Sequence, residues 1–350
     1  MPPTFVIGIN YMSESQLQCP LPLNYEQIVM AHGGGGRMMQ ELLDKLILPI
    51  FDNPILNQRH DSAVVEIKDT KIAFTTDSYV VKPLFFPGGN IGKLAVCGTL
   101  NDLAMAGAKP LYLTCALIIE SGYPLVELEQ ILRSMQATAS CAGVLMVTGD
   151  TKVVEHGKGD GVYINTAGIG IIETKLPLNP DQIQIGDAII INSDIGRHGI
   201  AVMLEREGLN FDHQIQSDCE DLSDLVSKLL QANIEIHCMR DLTRGGLAAG
   251  LIELATASGH AIEIIEAALP VHTQVKSACE ILGFDPLYIA NEGVFALFVP
   301  KTQVDAALSL LHRHPLGTVV NSTVGQMMFN SLRKSPAVWF SQRWQTVEKF

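Results

Sequence analysis

KLPLNPDQIQIGD, residues 175–187, sets two prolines, a glycine and a run of polar side chains between two long apolar stretches. It reads as a domain boundary. On its N-terminal side strand-like and helix-like segments alternate. AVVEI (63–67) and KIAFTTDS (71–78) have the length and β-branched content of strands around a Lys68-Asp69-Thr70 turn. Ile91 to Gly107 carries Leu94, Ala95, Leu100, Leu103 and Ala104 at helical spacing, and Lys109-Pro110 closes it. LYLTCALII (111–119) is a strand and Leu125 to Cys141 an amphipathic helix. GVLMVTGD (143–150) is a strand running into a polar turn, and VYINTAGIGII (162–172) completes the unit. On the C-terminal side AIIINS (188–193) is a strand, followed by a glycine-bearing turn (195–199) and the helix AVMLERE (201–207). Residues 222–233 and 245–258 are helical, 292–300 strand-like and 302–314 helical. The expected organisation is a loose arm (1–24), an α/β unit (25–175), an α+β unit (187–326) and a tail (327–350). The long strands near Asp61 and Asp77 suit hairpins better than βαβ crossovers.

With 350 residues, 47% apolar and 17% charged, the chain can bury two cores and is not a disordered protein. Lys and Arg number 24 against 37 Asp and Glu, a net charge of −13, which argues against a nucleic-acid surface. A phosphorylated ligand would then need metal ions and backbone amides for positive potential. No apolar run reaches the roughly 18 residues of a membrane span. The start MPPTFVIGIN lacks a basic n-region, so a cytoplasmic protein is expected. Seven cysteines without a CxxC pair speak against a disulfide framework or zinc knuckle and read as buried thiols.

Several polar segments stand out against this apolar background. HGGGGR (32–37) precedes the helical MMQELLDKL; its glycines let backbone N–H groups approach an anion, or form a flexible linker. Asp61 and Asp77 lie at strand ends, and Asn101-Asp102 sits in a helix of Leu, Ala and Gly, with Gly98 one turn earlier. A carboxylate in such a helix is costly to bury unless paired or metal-bound, and magnesium would resolve that cost. Each aspartate taken singly also suits a cap, turn or surface role. TGDTK (148–152) offers a carboxylate, hydroxyls and an ammonium within five residues, and HGKGDG (156–161) is a glycine loop. RDLTRGG (240–246) precedes a helix and suits either an anion at its N-terminus or an N-cap. Ser193 and His198 come without a GxSxG elbow, which excludes a hydrolase triad of that type.

Taken in order, HGGGG, DSAVV, TTDS, NDLAMAGAKP, TGDTKVV, GKGDG, SDIGRHG, RDLTRGG and NEG resemble the HypE family of hydrogenase expression/formation proteins over residues 25–325. That family falls in the ATP-dependent superfamily of aminoimidazole ribonucleotide synthetase and selenophosphate synthetase. The resemblance implies a two-domain fold of α/β and α+β units. The N-terminal sheet closes across a homodimer in β-barrel-like fashion, the C-terminal unit is a sandwich, and Mg-ATP lies between them. It implies Asp61, Asp77, Asp102 and Asp241 as magnesium ligands. Gly33, Gly34, Gly35, Gly36, Asn101, Thr151, Thr243 and Arg244 join them around the nucleotide, and Lys152, Asp150 and Glu292 are the catalytic set. The implied chemistry is dehydration of a cysteine-bound carbamoyl group to a thiocyanate, the cyanide source for [NiFe]-hydrogenase. The implied partners are the carbamoyltransferase HypF and the HypC–HypD complex, with no nucleic acid and no membrane.

The family ends in Pro-Arg-Ile-Cys, whereas this chain ends in TVEKF and its last cysteine is Cys279. Residues 327–350 also hold both tryptophans and four basic residues against Glu348 alone. The expectation is that this tail is not the family's own, as after a reading-frame change, and that it leaves no terminal thiol to carbamoylate. Another synthetase of the same fold, or a non-catalytic nucleotide-binding partner, are the competing readings. Selenophosphate synthetase is disfavoured by the lack of Cys or Lys in HGGGGRMM.

Overall fold

Fourteen of the fifteen residues of Ile91–Met105 are buried in the computed structural model, Lys93 alone excepted. A helix without a solvent face must be enclosed by other elements, and the architecture follows from what encloses this one. The structure describes residues 27–172, 174, 177–209, 214–317, 325–328 and 338–340. The chain divides into a unit up to Asp52 and a unit from Asn53 onward. In the first, the glycine run precedes α1 (Arg37–Leu42), a widened turn over Leu43–Ile47 and α2 (Leu48–Phe51).

The larger unit begins with β1 (Ala63–Ile67), β2 (Thr70–Tyr79), the short ribbon β3 (Phe85–Phe86) and β4 (Gly89–Asn90), and then α3 (Ile91–Met105). β5 (Ala108–Glu120), α4 (Leu125–Cys141), β6 (Leu145–Val154) and β7 (Val162–Ile172) follow. The sheet order is β1-β2-β7-β5-β6. All pairings are antiparallel except β5 with β6, which the intervening α4 connects. Asn90 caps α3, its side chain accepting from the amides of Gly92 and Lys93. One face of the sheet packs under α3 and α4 through Tyr79, Ile164, Leu94, Leu100, Ile131 and Met135. Among the described residues the other face is left uncovered. Phe74, Ile169, Tyr112 and Leu145 stand in register across four strands, 38–64% exposed.

The chain continues with β8 (Ala188–Ile191), α5 (Arg197–Glu207), α6 (Ser223–Gln231), β9 (Cys238–Asp241) and α7 (Gly246–Ser258). β10 (Ala261–Ile264), α8 (Thr273–Leu282), β11 (Phe295–Val299), α9 (Val304–Arg313), β12 (Gly325–Met328) and β13 (Val338–Phe340) complete it. The second sheet runs β13-β10-β12-β8-β11-β9. Every residue of β8 and β11 is buried because both faces are covered. Ile189, Ile191 and Phe298 pack with Leu247 and Leu251 of α7, while Ile190, Phe295 and Leu297 pack with α6 and α9. Ala104 and Met105 of α3 join this second core, so the all-buried helix is shared between two sheets.

Among the described residues of the single chain the first sheet is open, with β1 and β6 as its edges. Two expectations change here. TGDTK is not a turn but the middle of β6, held straight by pairing along β5 from Thr114 to Glu120. RDLTRGG starts as strand β9, which its four residues were too short to signal. The arm (1–24) lies outside the described residues, as does most of the tail; Val338–Phe340 pairs parallel with β10. No helix among the described residues is long and apolar enough to cross a membrane.

Candidate active site

Asp102 comes from the last turns of α3, Asp241 ends β9 and Asp61 lies two residues before β1; their carboxylate oxygens lie within 4.8 Å of one another. Asp61 and Asp102 are held from behind. Arg240 Nε sits 2.8 Å from Asp61 Oδ1, and Arg240 Nη2 lies 2.6 Å from Glu253 Oε2 on α7. The Thr75 hydroxyl is 2.7 Å from Asp102 Oδ2 and 3.0 Å from the Asp61 carbonyl. Ser62 Oγ donates to the Asp102 carbonyl at 2.9 Å. Asp61 Oδ2 is buried and has no hydrogen-bond partner. Burial first, and then the neighbouring carboxylates, push Asp102 and Asp241 well above the ordinary range. Asp61 is pushed up to about 6 against the pull of Arg240. Three converging carboxylates with an orphaned oxygen among them are what a divalent cation fits.

Asp77 stands two residues beyond Thr75 and therefore on the same face of β2. Its Oδ2 accepts from the Tyr79 hydroxyl at 3.2 Å, and the missing side chain of Gly98 makes room for that hydroxyl. Thr99 and Thr166 continue the bonded chain at 3.3 and 2.6 Å. Burial raises Asp77, and the charge of Arg244 opposes it.

Glu292 faces the same cluster electrostatically. Burial, Asp241, Asp218 and Asp77 hold it well above the usual range, and Arg244 again opposes. Asn101 fixes the loops behind it: its amide nitrogen donates to the Glu220 and Glu292 carbonyls, and its oxygen accepts from the Leu222 amide at 2.8 Å. Asp218 Oδ1 accepts from the Glu292 amide at 3.0 Å. Thr243 and the exposed Arg244 lie in the turn before α7. That turn needs glycine: Gly246 has φ +62°, and a Cβ there would stand 2.6 Å from the carbonyl oxygens of Leu287 and Ile289.

Asp61, Asp77, Asp102, Asp241 and Glu292 are thus neighbours. Asp150 and Lys152 are not among them. They pair with each other at 2.7 Å, 61% and 69% exposed, on edge strand β6. In register Asp150 aligns with Ala116, Asn165 and Ser78, on the bare side of the sheet and three strands from β2. Thr151 lies between them on the same strand. Gly33, Gly34, Gly35 and Gly36 belong to the unit ending at Asp52. Sequence reasoning missed Arg240, Glu253, Thr75, Tyr79 and Asp218 as supports. Arg240 and Thr75 lay inside quoted motifs, but nothing local says which aspartate a basic or hydroxyl side chain will hold.

Two family descriptions match the chain: AIR synthase related protein, N-terminal domain, over residues 59–172, and the corresponding C-terminal domain over 184–328. The carbamoyl dehydratase HypE of Azotobacter vinelandii is 48% identical over 297 residues, covering 85% of this chain and 87% of that protein. HypE in a crystal structure of a HypE–HypF complex superposes with a TM-score of 0.81 at 42% identity, covering 88% of this chain and 99% of that one. A HypE crystal structure in complex with ATP gives 0.75 at 41%, covering 89% and 93%.

Proposed function

The chain belongs to the AIR synthase related family, and from that premise we propose that it is an ATP-dependent carbamoyl dehydratase of the HypE type. It would convert an S-carbamoyl cysteine to a thiocyanate, the cyanide source for [NiFe]-hydrogenase maturation. The observation that carries this reading is the convergence of Asp61, Asp102 and Asp241 beside Asp77 and Glu292.

Asp61, Asp77, Asp102 and Asp241 are the proposed holders of Mg2+. When bound, the ion offsets triphosphate charge and favours attack on the γ-phosphorus. Thr243, Arg244 and the amides opening α7 suit the phosphate oxygens. The carbamoyl oxygen attacks the γ-phosphorus and ADP leaves. The carbamoyl nitrogen then loses its two protons, one to Glu292 and one with the departing phosphate. The carbon–oxygen bond breaks as the carbon–nitrogen triple bond forms. Glu292 suits the base because it is a buried carboxylate beside the cluster, and burial is the first cause of its raised proton affinity.

A homodimer through the bare sheet face is part of this reading. Phe74, Ile169, Tyr112 and Leu145 form an apolar row that a second copy would cover. Asp150 and Lys152 on exposed β6 would then serve the second copy's site, since in their own chain they point away from Glu292. Thr151 would accompany them. A HypF-type carbamoyltransferase is the proposed donor and a HypC–HypD-type complex the acceptor, in the cytoplasm.

The test supplies the substrate in trans, as a synthetic S-carbamoyl peptide ending Pro-Arg-Ile-Cys, so that it does not depend on residues 327–350. With Mg-ATP the chain should release one phosphate per peptide and leave a peptide lighter by one water. Phosphate release without that mass change, or no release at all, would refute the dehydratase reading.

A further inference from the structure

A base enclosed as Glu292 is must also lose its proton once per turnover. Its side chain is only 13% exposed, and a substrate seated against it covers what remains. Beside it stands His198 of α5, itself 6% exposed. His198 Nε2 is 4.0 Å from Glu292 Oε1, a gap that one water or a small rotation closes. His198 Nδ1 is 2.9 Å from Ser217 Oγ, and the ring is held edge-on against Phe86 with centroids 5.4 Å apart. Ser217 lines a cleft of about 510 Å³, together with Asp194, Arg197, Asp218, Glu220 and His272. In that lining Asp218 Oδ2 is buried and has no hydrogen-bond partner.

We propose that His198 and Ser217 carry the proton from Glu292 out to this cleft, acting through Glu292 and not on the substrate. The inference rests on the dehydratase reading. Nε2 takes the proton from the Glu292 carboxyl, Nδ1 passes its own to Ser217 Oγ, and the Ser217 hydroxyl proton goes to water in the cleft. Carboxylate, neutral imidazole and hydroxyl are all regenerated, and a ring flip resets the tautomer. Burial pushes His198 down to about 4, so it rests neutral, and the protons move through it in concert without a stored imidazolium. The ionisable groups around the path are Glu292 from the 291–293 turn, Asp218 from the loop before α6, and the Arg197–Asp194 pair at 3.0 Å from the start of α5. Burial raises Asp218 to about 7.

The experiment uses the full chain, the S-carbamoyl peptide and Mg-ATP, with phosphate followed by rapid mixing after preincubation with nucleotide. In His198→Ala the first turnover should keep its rate, because Glu292 has equilibrated with solvent before the peptide is mixed in. Later turnovers should slow by about tenfold or more. KM values should stay within about twofold, and added imidazole should restore the later turnovers. Ser217→Ala, which leaves the ring in place, should show the same split more weakly, with Ser217→Thr near wild type. Equal slowing of first and later turnovers, no slowing in either variant, or no imidazole effect on a folded His198→Ala would overturn the relay. Absence of any turnover in the unsubstituted chain would instead remove the dehydratase reading on which it stands.

Discussion

Replacing Asp102 with asparagine tests the acidic cluster with the least disturbance, because the amide oxygen can still accept from Thr75. Two unit charges 4.8 Å apart repel by about 3.5 kcal/mol at an effective dielectric of 20. Three ionised carboxylates at that spacing are therefore unsustainable without a cation, and the metal-free protein keeps protons on them. Asp61, Asp102 and Asp241 all titrate above their unfolded range. The folded chain then binds protons that the unfolded chain has released, so metal-free stability falls as pH rises from about 4 through about 6 and beyond. Asp102→Asn removes two of the three repulsive pairs. At pH 8 the metal-free variant should gain on the order of 2 kcal/mol over the unsubstituted chain, and near pH 4 the two should converge. With unfolding entropy near 2.1 cal/mol/K per residue, a unit of about 300 residues shifts by about 3–4 °C for that change. Adding Mg2+ at about 100 times its Kd should raise the unsubstituted chain by ~2.7 kcal/mol, or about 4 °C, and leave the variant almost unmoved. Thermal melts at two pH values, with Mg2+ and with chelator, read both effects. A variant that is less stable than the unsubstituted chain at pH 8 without metal, or that keeps the full Mg2+ shift, would refute the argument.

Asp77→Asn should weaken Mg-ATP binding by about tenfold in calorimetry with less than about 1 kcal/mol lost in folding, since one charge goes while the Tyr79 bond can persist. Lys152→Ala should lower turnover and leave the melting temperature unchanged, because an exposed pair contributes about 0–1 kcal/mol. Mixing Lys152→Ala with Asp241→Asn chains should recover part of the activity if each copy completes the other's site; no recovery would place Lys152's work within its own chain. Leu145→Asp should shift the protein from dimer to monomer in sedimentation, by charging the bare sheet row. Gly246→Ala should cost several kcal/mol in denaturant unfolding, since both its positive φ and the two carbonyls at 2.6 Å exclude a Cβ; an unchanged midpoint would show that the turn before α7 is not constrained as described.

The sequence by itself determined the alternation of strands and helices, because periodicity and turn chemistry are local. Leu125–Cys141 and Val162–Ile172 have the same limits in the chain as in its pattern. Ordered motifs also carried the family, since they are strings of residues and need no coordinates. The reason for Asp102 was only half legible: a carboxylate in an apolar helix signals a partner but does not name one. Tertiary structure decided that Asp61, 41 positions upstream, and Asp241, far downstream, meet it, because β9 and the approach to β1 converge on the same end of α3. It also separated residues that the motifs had grouped. Lys152 and Asp150 look like site residues in the string TGDTK, yet a strand's period of two turns both onto the outer face of an edge strand. His198 was visible only as a member of SDIGRHG, with no partner indicated. Its position between Glu292 and Ser217 arises from loops that pack only when both sheets are assembled, and such proximity is a property of the packed core that no window of sequence contains.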